Sequence, residues 1–335
     1  MRISAILGAS LIALINSNAL STAAPIGVST FGSPGGTSGR PISITVWYPA
    51  LDGGLEAEVG ANAVFAGVSA FRDAELAAGR FMTVIISHGG LRSAADSGAW
   101  LSARLAANGY VAVEVNAPPP RHPGEAQDEI WRRTEDISTA LSLLEEEPRW
   151  AAHIDSRRVA VLGFQLGGTA ALIVAGVPLD VSQYDHFCDA DPARSECAWR
   201  AAAGDSLTSA DYKRLGQLRR DQRISAAIAV NPEYVAAFTA SNLADLAVPI
   251  GLIETGPQNT EAAALRAEAT ATWSLLDASP ADTFGLCTKT GARILREEGG
   301  DPSLCSGKPQ ARQRVHGDIE AAVVDFLESL RPAAD

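Results

Sequence analysis

Arg158-Val-Ala-Val-Leu-Gly163-Phe-Gln165-Leu-Gly167-Gly168-Thr-Ala-Ala-Leu172 decides how this chain reads. A β-branched, apolar run enters a Gly-x-X-x-Gly-Gly turn and leaves it directly in a run of small, helix-compatible residues. So tight a turn strains its central residue, and the positions two before and two after must let backbone and helix approach, which glycine does. Gly163, Gly167 and Gly168 fill those places. The turn also lies at a helix N-terminus, where free backbone N–H groups favour negative charge. Joins of this kind carry a serine in the Gly-x-Ser-x-Gly pattern. Here the central residue is Gln165.

The same alternation extends outward from that stretch. Strands are expected at Ile42–Tyr48, Met82–Ser87, Tyr110–Val115, Val159–Phe164, Ile224–Val230 and Val248–Ile253. Helices are expected at Ala94–Asn108, Glu129–Glu147, Gly167–Ala175, Thr260–Leu276 and Asp318–Leu330. Strands that are apolar throughout, alternating with helices, predict an α/β protein with a mostly parallel central sheet and helices on both faces. The polar stretch 178–223 breaks the rhythm and reads as a cap-like insertion. Length alone would suggest two domains. The pattern instead predicts one domain over 25–335, with no internal repeat.

The 335 residues carry 27 basic and 39 acidic side chains, a net charge of −12. That balance argues against nucleic acid or anionic lipid as the main partner. Residues 1–24 read as a secretory signal: Arg2 opens it, Ile3–Ile15 is apolar, and Thr22-Ala23-Ala24 offers small residues for cleavage. The apolar run, about 13 residues, is shorter than the ~20 needed to span a bilayer, and no later stretch is long enough. A secreted or periplasmic protein without a transmembrane segment in its mature chain is expected. Cys188, Cys197, Cys287 and Cys305 allow three pairings, of which Cys188–Cys197 and Cys287–Cys305 close local loops. No Cys-x-x-Cys pair or suitably spaced histidine calls for a metal, and no motif calls for a cofactor.

With these segments in view, the chain resembles bacterial α/β-hydrolases of the dienelactone-hydrolase and platelet-activating-factor-acetylhydrolase-like kind, over nearly all of its mature length. Ile86-Ser-His-Gly-Gly90 resembles the oxyanion loop, and His153-Ile-Asp155 the lead into the elbow strand. Phe187-Cys188-Asp-Ala-Asp-Pro192 and the tail from Cys287 to Cys305 also resemble family segments. The resemblance implies an α/β-hydrolase fold and an oxyanion hole built from the amides of Leu166 and of Gly90 or Leu91. It also implies a Ser–acid–His triad. Against that pattern Gln165 stands at the serine and Asp282 at the histidine, and Glu254 is the acid nearest the third position. A carboxamide has no usable nucleophilic atom, so no acyl-enzyme can form on Gln165.

Two outcomes are therefore expected. The first is a non-catalytic pocket that binds a small carbonyl or carboxylate ligand, or a protein partner. The alternative is a carboxylic ester or lactone hydrolase that uses an Asp282-activated water or a relocated triad. Ser87 and the Gly35-Gly-Thr37-Ser-Gly39 loop are the weak candidates for a relocated nucleophile. His88 is expected to support the oxyanion loop, His122 to stand near the pocket mouth, and His316 to lie on a helix surface.

Overall fold

The computed structural model describes residues 25–331, apart from 36–38, 91–92, 191, 193, 195–196, 198–211 and 245. The expected signal segment, Leu91 and the tip of the Gly35–Gly39 loop lie outside the described residues. Ten strands form one sheet: β1 (Ile26–Ser33), β2 (Ile42–Pro49), β3 (Leu55–Val59), β4 (Val68–Arg72), β5 (Phe81–Ser87), β6 (Val111–Asn116), β7 (Ile154–Phe164), β8 (Ile224–Val230), β9 (Ile250–Thr255) and β10 (Ala271–Leu275). Their order is β10-β9-β8-β7-β5-β6-β2-β1-β4-β3. The longer helices are α1 (Ala99–Ala107), α2 (Glu129–Glu146), α3 (Leu166–Val174), α4 (Val181–Ala190) and α5 (Pro309–Ser329).

The expectation of a mostly parallel sheet needs correction, because the sheet is mixed. From β6 through β5, β7, β8 and β9 to β10 neighbouring strands run parallel. Beyond β6 the pairs β2–β6, β1–β2 and β3–β4 are antiparallel. The N-terminal strands β1, β3 and β4 are short or half-exposed, so they lack the apolar run that marks a strand buried on both faces. The expected helix Thr260–Leu276 is also corrected: a short helix, Ala263–Glu268, ends before β10. In β10 Ala271, Trp273 and Leu275 are half-buried while Thr272 and Ser274 are exposed, a period of two that outweighs the helical spacing before it.

The central strands alternate between two apolar layers. In β7, Val159 and Val161 pack with α2 and α3, whereas Ala160, Leu162 and Phe164 pack with α1 and α5. Burial on both faces leaves β7 and its neighbours in the middle of the molecule and brings the C-terminal ends of the parallel strands to one rim. Of the 178–223 stretch, α4 and the short helix Tyr212–Gln217 are described. Tyr184 and Phe187 of α4 meet the Tyr234 ring edge-on at 4.9 Å. No helix among the described residues is long and apolar enough to cross a membrane. Both nearest-neighbour disulfides form, Cys188–Cys197 and Cys287–Cys305.

A buried charge network ties the β1–β2 connection to α2. Arg40 donates to Asp136 at 2.6 and 3.0 Å and pairs with Glu129, and all three side chains are buried. The nearby carboxylates raise the Arg40 pKa against the opposing effect of its own burial. Glu129 also faces Arg133 at 3.3 Å, and Arg133 donates to the carbonyls of His88 and Gly90 at 2.5 and 3.0 Å. The network therefore fixes the backbone that follows β5. Removing one member leaves the remaining charges buried, a loss of about 3–5 kcal/mol. Arg40→Met is expected to lower unfolding stability by that amount, read as a lower urea midpoint with an unchanged slope.

Candidate functional site

At the rim β7 turns into α3 through a single residue. Gln165 has φ 47° and ψ −120°, a conformation L-residues rarely adopt. Two neighbouring glycines make it possible. A Cβ on Gly163 would lie 2.0 Å from the Gly167 carbonyl oxygen, and one on Gly167 would lie 1.9 Å from that of Ser87. The bend is held by hydrogen bonds from Gln165 N to Val230 O at 2.9 Å and from Gly168 N to Gln165 O at 2.9 Å. Leu166 begins the helix, so its amide has no intrahelical acceptor.

The Gln165 side chain points across the rim to the tail loop. Its Nε2 donates to Thr283 Oγ1 at 2.9 Å, and Thr283 Oγ1 donates in turn to Pro280 O at 2.7 Å. The threonine has one proton and the Pro280 carbonyl can only accept, so the amide must be the donor to Thr283. This chain of donors orients Gln165. Its Oε1 is buried with no hydrogen-bond partner among the described residues and lies toward Gly89. Thr283 is fully buried, and its own carbonyl accepts from Trp100 Nε1 at 3.0 Å.

Asp282 does not face Gln165. Its carboxylate closes a capping box with Ser279 N and Oγ, both at 2.9 Å, and lies 3.4 Å from Arg312. The structure thus places Thr283, not Asp282, against the elbow side chain. The sequence reading missed Thr283 by one position, and only the turn of the short 3-10 helix Pro280–Thr283 reveals it. Glu254, near the end of β9, is buried and makes a two-pronged pair with Arg266 at 2.7 and 2.8 Å. Among the described residues the side-chain hydrogen bonds of Gln165 and Thr283 run to neither a carboxylate nor an imidazole, while the Thr283 backbone lies within hydrogen-bond reach of the His88 ring. Ser87 is buried at the end of β5.

The histidines divide in a way the sequence did not show. His88 lies beside the elbow, its Nδ1 3.1 Å from Gly89 O and its ring 4.9 Å from Phe164 and 5.0 Å from Phe284. His122 is exposed next to Glu125. His316 is corrected outright. Helix α5 begins at Pro309, earlier than the expected start at Asp318, so His316 lies well inside it and is buried. It stacks on Trp100 at 3.8 Å and hydrogen-bonds the Phe284 carbonyl at 2.9 Å.

No family model matches this chain, and no curated protein matches it significantly. Among solved structures, a ferulic acid esterase from Streptomyces cinnamoneus is similar in fold, with a TM-score of 0.59 and 16% sequence identity. The match covers 94% of this chain and 95% of the esterase. At that identity the likeness shows the α/β-hydrolase fold over almost the whole chain.

Burial lowers the pKa of both His88 and His316 to about 4, with the carbonyls they touch acting in the opposite sense. In the unfolded chain each titrates near 6.5. Between those values the unfolded chain takes up protons that the folded chain refuses, so stability falls as pH drops from 6.5 toward 4. Glu114, buried and raised to about 8, titrates in the opposite sense: its contribution is present at low pH and fades as pH rises toward 8. The histidine effect is therefore read by difference. His316→Gln, which keeps a donor for Phe284 O, is expected to lose less unfolding free energy than wild type between pH 7 and pH 5.

Proposed function

We propose that this chain is an exported protein of the α/β-hydrolase fold that has given up acyl transfer and acts by binding. The observation that carries this reading is the Gln165–Thr283 hydrogen bond: an amide spans the gap where a nucleophile and its base would meet. Neither partner can supply the chemistry. A carboxamide does not attack a carbonyl, and a threonine whose proton is given to a backbone carbonyl is no general base.

The supporting observations are independent of one another. The strained bend and its glycines are kept, so the scaffold is that of an elbow while its central side chain is inert. Of the two acids read against the triad, Glu254 is paired with Arg266, and Asp282 is held by Ser279 and Arg312. The amides of Leu166 and of Gly90 or Leu91 are read as the remnant of an oxyanion hole. The relationship to dienelactone-hydrolase-like proteins, the one-domain reading of 25–335 with its cap at 178–223, and the signal at 1–24 belong to this proposal. Two disulfides suit the oxidising setting that export provides. Hydrolysis by an Asp282-activated water finds no support in a carboxylate already capped by Ser279.

A fluorophosphonate probe and p-nitrophenyl acetate test the reading. Wild type is expected to remain unlabelled and to turn over no ester above background. Gln165→Ser alone is expected to stay inert for want of a base. Gln165→Ser with Thr283→His is expected to be labelled, with turnover at least about 10²-fold above wild type, the usual minimum contribution of a positioned base. Stoichiometric labelling of wild type overturns the proposal. So does wild-type turnover that Asp282→Asn abolishes.

A further inference from the structure

A cavity of about 360 Å³ opens on the other side of the Thr283–Phe284 segment, between α1, the 60–68 loop and the start of the tail. Gln165 is not among its lining residues. Its volume is within the range of sites that hold small organic molecules, about 300–1,000 Å³. Three aromatic side chains and one imidazole shape it. Trp100 and His316 are stacked nearly parallel, at 3.8 Å and 10°. Phe65 and Phe284 are also nearly parallel, at 6.1 Å and 11°.

The polar groups on its wall are unequal. Asp96 is already bonded to Asn116 at 2.8 Å, and Arg104 is paired with Glu320. The charge of Arg104 is thus matched by Glu320, and the Asp96 carboxylate, which keeps its charge, disfavours an anion on this wall. His316 differs, because the Phe284 carbonyl can only accept. The proton must then sit on Nε2, which leaves Nδ1 as the acceptor of the ring.

We propose that this cavity is a second, separate small-molecule site, which takes a flat, uncharged, mostly apolar molecule carrying one hydroxyl or N–H donor for His316 Nδ1. The aromatic walls supply area and stacking, and burial of His316 rewards a ligand donor matched to its ring acceptor. The site does not depend on the state of Gln165, so an active elbow would leave it standing. It does supply the kind of binding that an inert elbow calls for. The walls come from distant parts of the chain: Ala66 N donates to Leu286 O at 2.7 Å and Thr288 N to Val64 O at 2.8 Å. The Cys287–Cys305 disulfide anchors the tail side of that pairing.

Calorimetric titration of the full chain with 2-naphthol, naphthalene and 2-naphthoate tests the site. The expectation is one 2-naphthol per chain, naphthalene about tenfold weaker for want of the hydrogen bond, and no saturable binding of the anionic naphthoate. Ala66→Phe, at an exposed position on the cavity wall, is expected to abolish 2-naphthol binding while circular dichroism shows an intact fold. His316→Phe keeps the stacking on Trp100 and is expected to bring 2-naphthol down to the affinity of naphthalene. The proposal is overturned if wild type shows no saturable 2-naphthol binding, if folded Ala66→Phe binds as wild type does, or if naphthoate binds as tightly as naphthol.

Discussion

At the rim of the sheet the backbones of three elements come closer than side chains allow. Gly163 faces the carbonyl of Gly167, and Gly167 faces that of Ser87, with no room for a Cβ at either. This contact locks the end of β7, the start of α3 and the end of β5 into one junction, and it holds Gln165 in a conformation that costs on the order of 1–3 kcal/mol. Strain of this kind persists only where its surroundings over-determine it. Here they do so through the Val230 carbonyl, the first amides of α3 and the loop braced by Arg133. The strained bend is held in place although the side chain at its centre has no nucleophilic atom.

That combination has a simple physical account. The glycines and the close strand–helix approach serve the packing of the sheet whether or not a serine stands at the bend. The central side chain serves only the chemistry. Once glutamine occupies it, the longer side chain reaches the tail loop and gains a hydrogen bond to Thr283 at 2.9 Å. The gain is incomplete, since Oε1 is buried without a partner among the described residues, and an orphaned acceptor costs about 1–3 kcal/mol. The elbow is thus closed by a side chain that fits it at one end and not at the other.

Much of the architecture was legible because the central strands are apolar on both faces and the elbow glycines are spaced by backbone geometry. The two local disulfides were legible as the shortest loops among four cysteines. What escaped was set by packing over long distances. The strands β1, β3 and β4 are too exposed to show a continuous apolar run. The period of two in β10 was hidden by the helical spacing ahead of it. His316 lies on an α5 turn dominated by polar neighbours, and only Trp100, more than two hundred residues earlier, explains its burial. The choice between Asp282 and Thr283 depended on which way a single 3-10 turn points, a matter of one residue that spacing cannot resolve.

The pairing of the 60s loop with residues 284–288 also governs when these features can exist. The hydrogen bond from Thr288 Oγ1 to Ala63 O at 2.9 Å joins positions 225 apart in sequence. Loop closure over such a span is slow and entropically unfavourable until the intervening sheet has condensed. In sequence the junction of β7 and α3 precedes Thr283 by more than a hundred residues, so the amide has no Thr283 to meet until the tail has folded back. The aromatic chamber and the sealed bend mature together, as a late event of biosynthesis, and a chain that stops short of residue 283 has neither.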